Sequence, residues 1–477
     1  MDLVLGIDLG TSYFKLGLFN RAGDLCGLAR VATPTKTANG SICEAPVNDF
    51  WSSLRSGLES ALQQASARAE DIRAMGYSSQ ANSFLLLDED NRPLTPLILW
   101  CDVRTATVDP AVRGIWERED FMQVTGMGIA PSPEMAVEKV HWFRQHRPET
   151  WSRVRRVMMI SDYLTFSLTA RTEGDAGTAC LLGICDPRKV DWWDEALQEL
   201  DLPRAFLSRP LRPGTSAGAT TNAATELIGL PEGIRFVVGS LDHHMAAIGA
   251  GLGRTAHVSD STGTVIACVR TTDEYDPKPN CCMGPGISKK YFQYGFDSNG
   301  ASVLEWYQRT HAPKMSIPQL VDLAADIPPG SDGLIALPHA NEHPDLEGFR
   351  NQTAQHTRAH YVRAVLESIT ASLSFLVDHL SPRARPERIV STGGGARSDL
   401  WLQLKADMLG AEFVTTNCQE PACMGAAMTA AVAGGWFGDI ARTGEAWAKS
   451  TRSFTPDAFR HDQYAEWYAD YRKYLSR

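Results

Sequence analysis

Two aspartates stand where apolar runs give out. Asp8 interrupts LVLGIDLGTS, a stretch of strand-forming residues that turns on Gly10-Thr11-Ser12, and Asp242 follows FVVGSL directly ahead of the small-residue stretch MAAIGAG. A carboxylate at the end of a buried strand is costly unless a metal ion or hydrogen-bond donors meet it. Asp8 therefore reads either as the cap of its own hairpin turn or as one wall of a phosphate and Mg²⁺ site. Ligands of α/β sheets collect at the carboxyl ends of strands. Asp242 there reads either as a helix N-cap or as a base that takes a proton from a substrate hydroxyl, the work of the aspartate in phosphoryl transfer. A third feature is STGGGARSD, where Gly393, Gly394 and Gly395 precede a helix whose expected N-cap is Ser398. Such turns expose backbone N–H groups to anions, aided by the helix N-terminus. No Gly-Lys-Ser/Thr follows, so this is not a P-loop, and a tight structural turn is the plain alternative.

These residues need strands and helices to hold them. DFWSSLRSGLESALQQA repeats apolar residues at Phe50, Trp51, Leu54, Leu58 and Leu62, which is helical spacing. IRAMGYSSQ and SFLLL read as strands, PEMAVEKVHWFRQHRPETW as a helix bounded by prolines, and VRRVMMISDYLTFSLTA as a strand leading into a helix. This alternation predicts a mainly parallel sheet covered by helices. VSDSTGTVIACV then repeats the layout of GIDLGTSYFKLGLF: strand, Gly-Thr turn, returning strand. The same hairpin opening each half predicts two similar domains, with a boundary near Gly251–Arg254. Further on, Tyr361, Val365, Ile369, Leu373 and Leu376 mark a long helix, and EPACMGAAMTAAVAGG is an Ala/Gly-rich helix able to approach another backbone closely. The aromatic tail from about Ile440 reads as peripheral helices.

Composition narrows the partners. The 477 residues include 43% hydrophobic and 21% charged side chains with a net charge of −10, a globular balance that argues against nucleic acid or an anionic membrane surface. The ten cysteines (Cys26, Cys43, Cys101, Cys180, Cys185, Cys268, Cys281, Cys282, Cys418 and Cys423) form no Cys-x-x-Cys pair and read as free thiols of a reducing cytosol. MDLVLGIDLG lacks a basic leader and no apolar run reaches about 18 residues, so a cytoplasmic protein is expected. His356 and His360 stand at i, i+4 but lack the intervening Glu and a third ligand of a zinc site. His243 and His244 are adjacent, so their side chains diverge, leaving His243 to line a pocket beside Asp242.

Taken in order along nearly the whole chain, these motifs resemble the FGGY carbohydrate kinases, the family of xylulokinase, ribulokinase and glycerol kinase. GIDLGTSYFK is similar to the family's first phosphate motif, and GYSSQANSFLLLDEDNRPLTPLILWCDVRT to its substrate-side block. PEMAVEKVHWF resembles its Lys-x-x-Trp helix, GSLDHHMAAIGAG its catalytic aspartate loop, DSTGTV its second phosphate motif, HTRAHYVRAVLES a family helix and TGGGARSDLWLQLKADMLG its adenosine motif. The resemblance implies two ribonuclease-H-like, actin-like domains with ATP and sugar in the cleft between them. On that basis residues 1–252 form the sugar-side domain, 253–440 the ATP-side domain, and 441–477 a helical tail packed on the body. It implies Asp242 as general base and Asp8 as the Mg²⁺ holder, directly or through water. Thr11, Lys15, Gly263 and Thr264 would meet the phosphates, with Gly300, Gly394 and Ser398 bordering the nucleotide.

Gln80, Ala81, Asn82, Trp100, Glu134, Asp242 and His243 are the substrate candidates. Xylulokinases carry Met-His-Gly after the pocket glutamine and glycerol kinases Arg-Glu, whereas Ala81, Asn82 and Ser83 follow Gln80 here. Ala81 cannot donate a hydrogen bond and Asn82 is neutral, so the polyol contacts differ from both patterns. HANEHPDLEGFRNQ also lacks the family's Ala-Arg-Gly run, a changed loop that leaves Asp8, Asp242 and Thr264 in place. The expectation is ATP- and Mg²⁺-dependent phosphorylation of a ketose or polyol, first of all a pentulose such as xylulose. Glycerol, a tetritol or a hexulose is the alternative substrate, and a non-catalytic sugar sensor of the same fold the alternative role. A homodimer is the assembly the resemblance points to.

Overall fold

A computed structural model of the chain describes residues 1–475. The chain divides into two compact units. The first takes in Met1–Gly249, Thr271–Gln293 and Cys418–Trp447, and the second Ala250–Arg270, Tyr294–Asn417 and the chain from Ala448 onward.

The sheet of the first unit starts from the opening hairpin. Leu3–Leu9, buried at every position, runs antiparallel to Tyr13–Phe19, with Asp8 opposite Lys15. On its other side it pairs parallel with Ile72–Ser79, which in turn pairs parallel with Arg235–Leu241. Leu25–Ala32 and Ser216–Ala219 complete the two edges. The sheet is mixed and not mainly parallel as expected: its two central pairings are parallel, while the opening hairpin with its returning strand and the Ser216–Ala219 edge add antiparallel ones. Helix Val47–Ala65 covers one face through Phe50, Trp51, Leu54, Leu58, Ala61 and Ala65, the expected stripe apart from half-buried Leu62.

The other face is covered by Pro421–Ala433, and here composition decides geometry. An ideal Cβ on Gly6 would lie 2.0 Å from the Cys423 carbonyl oxygen, so the strand and helix backbones nearly touch. The same helix meets Asp242–Gly249 equally closely, with a Cβ on Gly425 falling 1.9 Å from the Met245 carbonyl oxygen. The Ala/Gly-rich helix thus braces both the strand that carries Asp8 and the helix that begins at Asp242.

The second unit repeats the plan. Val258–Thr262 runs antiparallel to Ile266–Thr272 and parallel to Arg388–Thr392, which pairs parallel with Glu412–Thr416. Helix Arg358–Leu380 is the long helix expected from its spacing. The tail is more than helical. Ser450–Phe454 pairs antiparallel with Glu412–Thr416 at the sheet edge, and helix Ala458–Tyr471 buries Tyr464, Tyr468 and Tyr471. Among the described residues, no helix is long and apolar enough to cross a membrane.

Gly6→Ala should lower the urea midpoint by the equivalent of about 1–3 kcal/mol, the usual cost of overpacking. Gly114→Ala in helix Pro110–Trp116, where no atom lies within 4 Å of the added Cβ, should hold or raise it. A Gly6→Ala protein as stable as the parent would show that the close approach is dispensable.

Candidate active site

Strand register assembles the first half of the site. Leu9 pairs with Ser79, and Ser79 with Leu241. Gly10, Gln80 and Asp242 are therefore each the first residue past three adjacent parallel strands, the place where α/β sheets bind ligands. Gln80 joins the first two strand ends, its amide N–H donating to the Leu9 carbonyl (3.1 Å) and its Nε2 to the Gly10 carbonyl (3.2 Å).

Asp8 lies one step back, 4% exposed. Its Oδ1 accepts from the Ser78 hydroxyl across the parallel strand (3.0 Å) and its Oδ2 from the Lys15 ammonium across the hairpin (3.3 Å). Lys15 also sits 3.3 Å from Glu420, which Arg30 grips from the other side. Burial pushes the Asp8 carboxyl above the usual carboxylate range, Lys15 pulls it down, and Asp242 pushes it up again. That last effect places the two aspartates within electrostatic reach of each other. Among the described residues no three His, Cys, Asp or Glu side chains are grouped to hold a metal ion alone. One or two carboxylates suit a Mg²⁺ that keeps its waters and arrives on phosphates.

At Asp242 the strand Arg235–Leu241 gives way to helix Asp242–Gly249. Its Oδ1 accepts from the His243 N–H (2.7 Å), and its side chain is 31% exposed. His243 is half-buried beside it at 4.0 Å. His244 diverges as adjacency requires. It is buried, its Nδ1 is 3.1 Å from the Ser240 hydroxyl, and its ring stacks on Phe292 at 4.5 Å. Burial pushes the His244 imidazole down to about 3, so it is a neutral packing residue.

Of the remaining substrate candidates, Gln80 and Trp100 form a hydrogen-bonded wall through Ser83, and Asn82 is tied to it through the next helix. The Gln80 Oε1 accepts from the Ser83 hydroxyl (2.9 Å), which itself accepts from the Trp100 amide N–H (2.8 Å). The Trp100 indole N–H donates to the Thr11 hydroxyl (2.8 Å), and the ring remains 37% exposed. Trp100 therefore links the Gln80–Ser83 pair to Thr11. Ala81 is half-buried, and Asn82 takes a left-handed backbone with φ of 60°. The Asn82 Oδ1 accepts from the Ala136 N–H (3.0 Å) and so satisfies the start of helix Ala136–His146. That helix returns Lys139, whose ammonium donates to the carbonyls of Leu99 (2.9 Å) and Trp100 (3.1 Å). Glu134 is exposed, accepts from the Ser132 hydroxyl (2.8 Å), and favours the Lys139 charge from nearby.

In the second unit the nucleotide candidates cluster around one turn. The Gly263 N–H donates to the Val265 carbonyl (3.0 Å), and the Ala301 N–H to the Gly263 carbonyl (2.8 Å). Gly300, at the start of helix Ala301–His311, lies against Thr264, since a Cβ there would fall 2.3 Å from the Thr264 carbonyl oxygen. Gly393, with φ of 77°, packs equally hard on Thr262 from the other side. Gly263, Thr264, Gly300 and the Gly393–Gly395 loop are thus neighbours. The Ser398 hydroxyl accepts from the Trp401 N–H (3.2 Å) as the N-cap of helix Asp399–Leu409.

Sequence reasoning missed Ser78 and Glu420. Ser78 shows only through strand register, and Glu420 only through packing of a helix remote in sequence. Lys139 stood in the Lys-x-x-Trp motif of its helix, but its bonds to the Leu99 and Trp100 carbonyls were not legible there.

Residues 3–249 match the FGGY family of carbohydrate kinases, N-terminal domain, and residues 259–434 the C-terminal domain of that family. The chain is 28% identical over 485 residues to a xylulose kinase of Staphylococcus epidermidis, covering 98% of this chain and 96% of that one. It is 27% identical over 446 residues to a gluconokinase of Bacillus subtilis, covering 89% and 86% of the two. The crystal structure of xylulose kinase from Rhodospirillum rubrum has the same fold, with a TM-score of 0.90 at 24% identity over 99% of this chain and 98% of that one.

Burial pushes the Lys139 ammonium from the ordinary 10.5 down to about 7, against the opposing pull of Asp102, Cys101 and Glu134. Between pH 7 and 10.5 the unfolded chain therefore holds a proton that the folded one has lost, and stability gains a rising component with pH. Urea midpoints at pH 7, 8.5 and 10 should show this component in the wild type and not in Lys139→Met. Parallel curves for the two proteins would mean that Lys139 keeps its ordinary value.

Proposed function

Because the chain belongs to the FGGY family of carbohydrate kinases, we propose that it moves the γ-phosphoryl group of ATP to a hydroxyl of a ketose or polyol, with Asp242 as the general base. It is a carbohydrate kinase, and kinases of this family use ATP as the phosphate donor. The observation that carries the assignment of Asp242 is its place at the end of Arg235–Leu241, in register with Gly10 and Gln80. A half-buried carboxylate there, held at one oxygen by the His243 N–H, is oriented to accept a hydroxyl proton.

In this reading the wall of Gln80, Asn82 and Trp100 positions the sugar, and the indole tie to Thr11 fixes its distance from the phosphates. Lys15 and the N–H groups around Thr11 are the phosphate-binding candidates of the first unit, and Gly263, Thr264, Gly300 and Gly394 are the nucleotide-binding candidates of the second. Asp8 would hold the Mg²⁺ that accompanies ATP, directly or through water, and the ion when bound supplies charge neutralisation between phosphates. Burial holds the Asp8 carboxyl above its usual range, which favours a partner with more positive charge than Lys15 alone supplies.

The pentulose class comes first because the Staphylococcus epidermidis relative is a xylulose kinase matched over nearly its whole length. A sugar acid is the second reading, favoured by the Bacillus subtilis gluconokinase. The departures at Ala81 and Asn82 bear on both, since neither side chain repeats the xylulokinase pattern.

Coupled ADP release with Mg·ATP against pentuloses, hexuloses, tetritols, glycerol and gluconate should give one sugar-dependent rate well above the rest. Asp242→Asn should lower that turnover by roughly 10²- to 10⁴-fold while leaving sugar binding measurable by calorimetry. Turnover in the variant within a few-fold of the parent would remove Asp242 from the role of base. Sugar binding without turnover in the wild type would favour a sensor.

A further inference from the structure

The second unit holds a sealed ion pair that no ligand can reach. The Lys405 ammonium lies 2.6 Å from the Asp260 carboxylate, and both side chains are 0% exposed. Lys405 also donates to the Thr262 hydroxyl (2.8 Å), which in turn donates to Asp260 Oδ1 (2.7 Å). The Ser391 hydroxyl, opposite Asp260 in the parallel strand, donates to Oδ2 (2.6 Å). The Trp401 ring, one turn earlier on the lysine's helix, faces the ammonium at 5.3 Å.

The place of this cluster is informative. Thr262 is the last residue of strand Val258–Thr262, directly before Gly263 and Thr264. Its backbone is also the floor of the triglycine loop. A Cβ on Gly393 would fall 2.7 Å from the Thr262 carbonyl oxygen, and one on Gly395 would fall 3.0 Å from the Thr262 Cβ and 3.4 Å from the Lys405 ammonium. One residue thus sets the height of two glycine turns, and its side chain is fixed by the pair beneath. Buried ion pairs are weak devices for stability, because apolar residues of similar volume often serve as well. Their best-attested use is to fix one arrangement among several.

We propose that Asp260, Thr262 and Lys405 are positioning residues for the nucleotide: they hold the Gly263-Thr264 turn and the Gly393–Gly395 loop at a fixed spacing, so that the N–H groups of both reach the same phosphates and adenosine. This rests on the assignment of those turns to ATP. None of the three residues touches the ligand. The pair adds no net charge, so its effect is on geometry and not on attraction, and misplacement on the scale of an ångström is expensive where groups must converge.

The double variant Asp260→Leu/Lys405→Met removes both charges together and leaves neither stranded. It should melt within a few degrees of the wild type, yet bind Mg·ADP roughly 10- to 100-fold more weakly by isothermal titration calorimetry. Thr262→Val keeps the ion pair and removes only the hydroxyl between it and the turn, and should also weaken Mg·ADP binding. Thr262→Ser restores the hydroxyl and should return the affinity, a rescue that a merely structural role does not require. A folded double variant, or Thr262→Val where the double variant fails to fold, that binds Mg·ADP within about twofold of wild type overturns the proposal. A wild-type chain that does not bind Mg·ADP overturns the nucleotide assignment itself, before any variant is compared.

Discussion

A carboxylate buried in a sheet must be matched, and that constraint organises both halves of this molecule. Asp8 and Asp260 each sit in the first strand of a hairpin, and each accepts a hydroxyl from a serine directly opposite in the parallel neighbour. A lysine completes each. The desolvation cost of an isolated buried charge is several kcal/mol, so neither aspartate could be tolerated without its lysine.

The two solutions differ in one respect that separates chemistry from support. Lys15 is 28% exposed and divided between Asp8 and Glu420, whereas Lys405 is fully enclosed and spent on Asp260 and Thr262. An ammonium shared between two acids and open to solvent can turn toward an arriving phosphate. A sealed one cannot, and can only hold backbone in place. The Ala/Gly-rich helix Pro421–Ala433 belongs to the same logic on the open side. It carries Glu420 at its N-terminus and lies against Gly6 and Met245, so the acid that competes for Lys15 is fixed by the helix that braces both the strand of Asp8 and the helix that begins at Asp242.

Much of this was legible in the sequence because it is local. The two Gly-Thr hairpins, the Ser398 cap, the helix starting at Asp242 and the divergence of His243 from His244 follow from turn chemistry and side-chain period. What escaped is whatever depends on register or on remote packing. Ser78 opposes Asp8 through a strand pairing that no short motif encodes, and Arg30 reaches Glu420 across 390 positions. The tail misled for a related reason. Its aromatic spacing suits peripheral helices, but Ser450–Phe454 gains its ladder from Glu412–Thr416, a strand remote in sequence. Tyr464 and Tyr471 are buried because their hydroxyls reach Glu367 and the Ala336 carbonyl inside the unit.

The least legible property is the one that sets the substrate. Asn82 looked in the sequence like a neutral contact for a polyol, yet the structure gives its Oδ1 to the Ala136 N–H, leaving the Nδ2 end as the part able to address a ligand. Its backbone is left-handed, a conformation that asparagine tolerates better than most residues. Asn82 anchors the start of the helix that carries Lys139, and Lys139 in turn holds the Leu99 and Trp100 carbonyls, so Asn82 is coupled to Trp100 through that helix. Gln80, Asn82, Ser83, Trp100 and Lys139 are thus one linked set: hydrogen bonds join Gln80 to Ser83, Ser83 to Trp100 and Trp100 to Lys139, and Asn82 holds the start of the helix that carries Lys139.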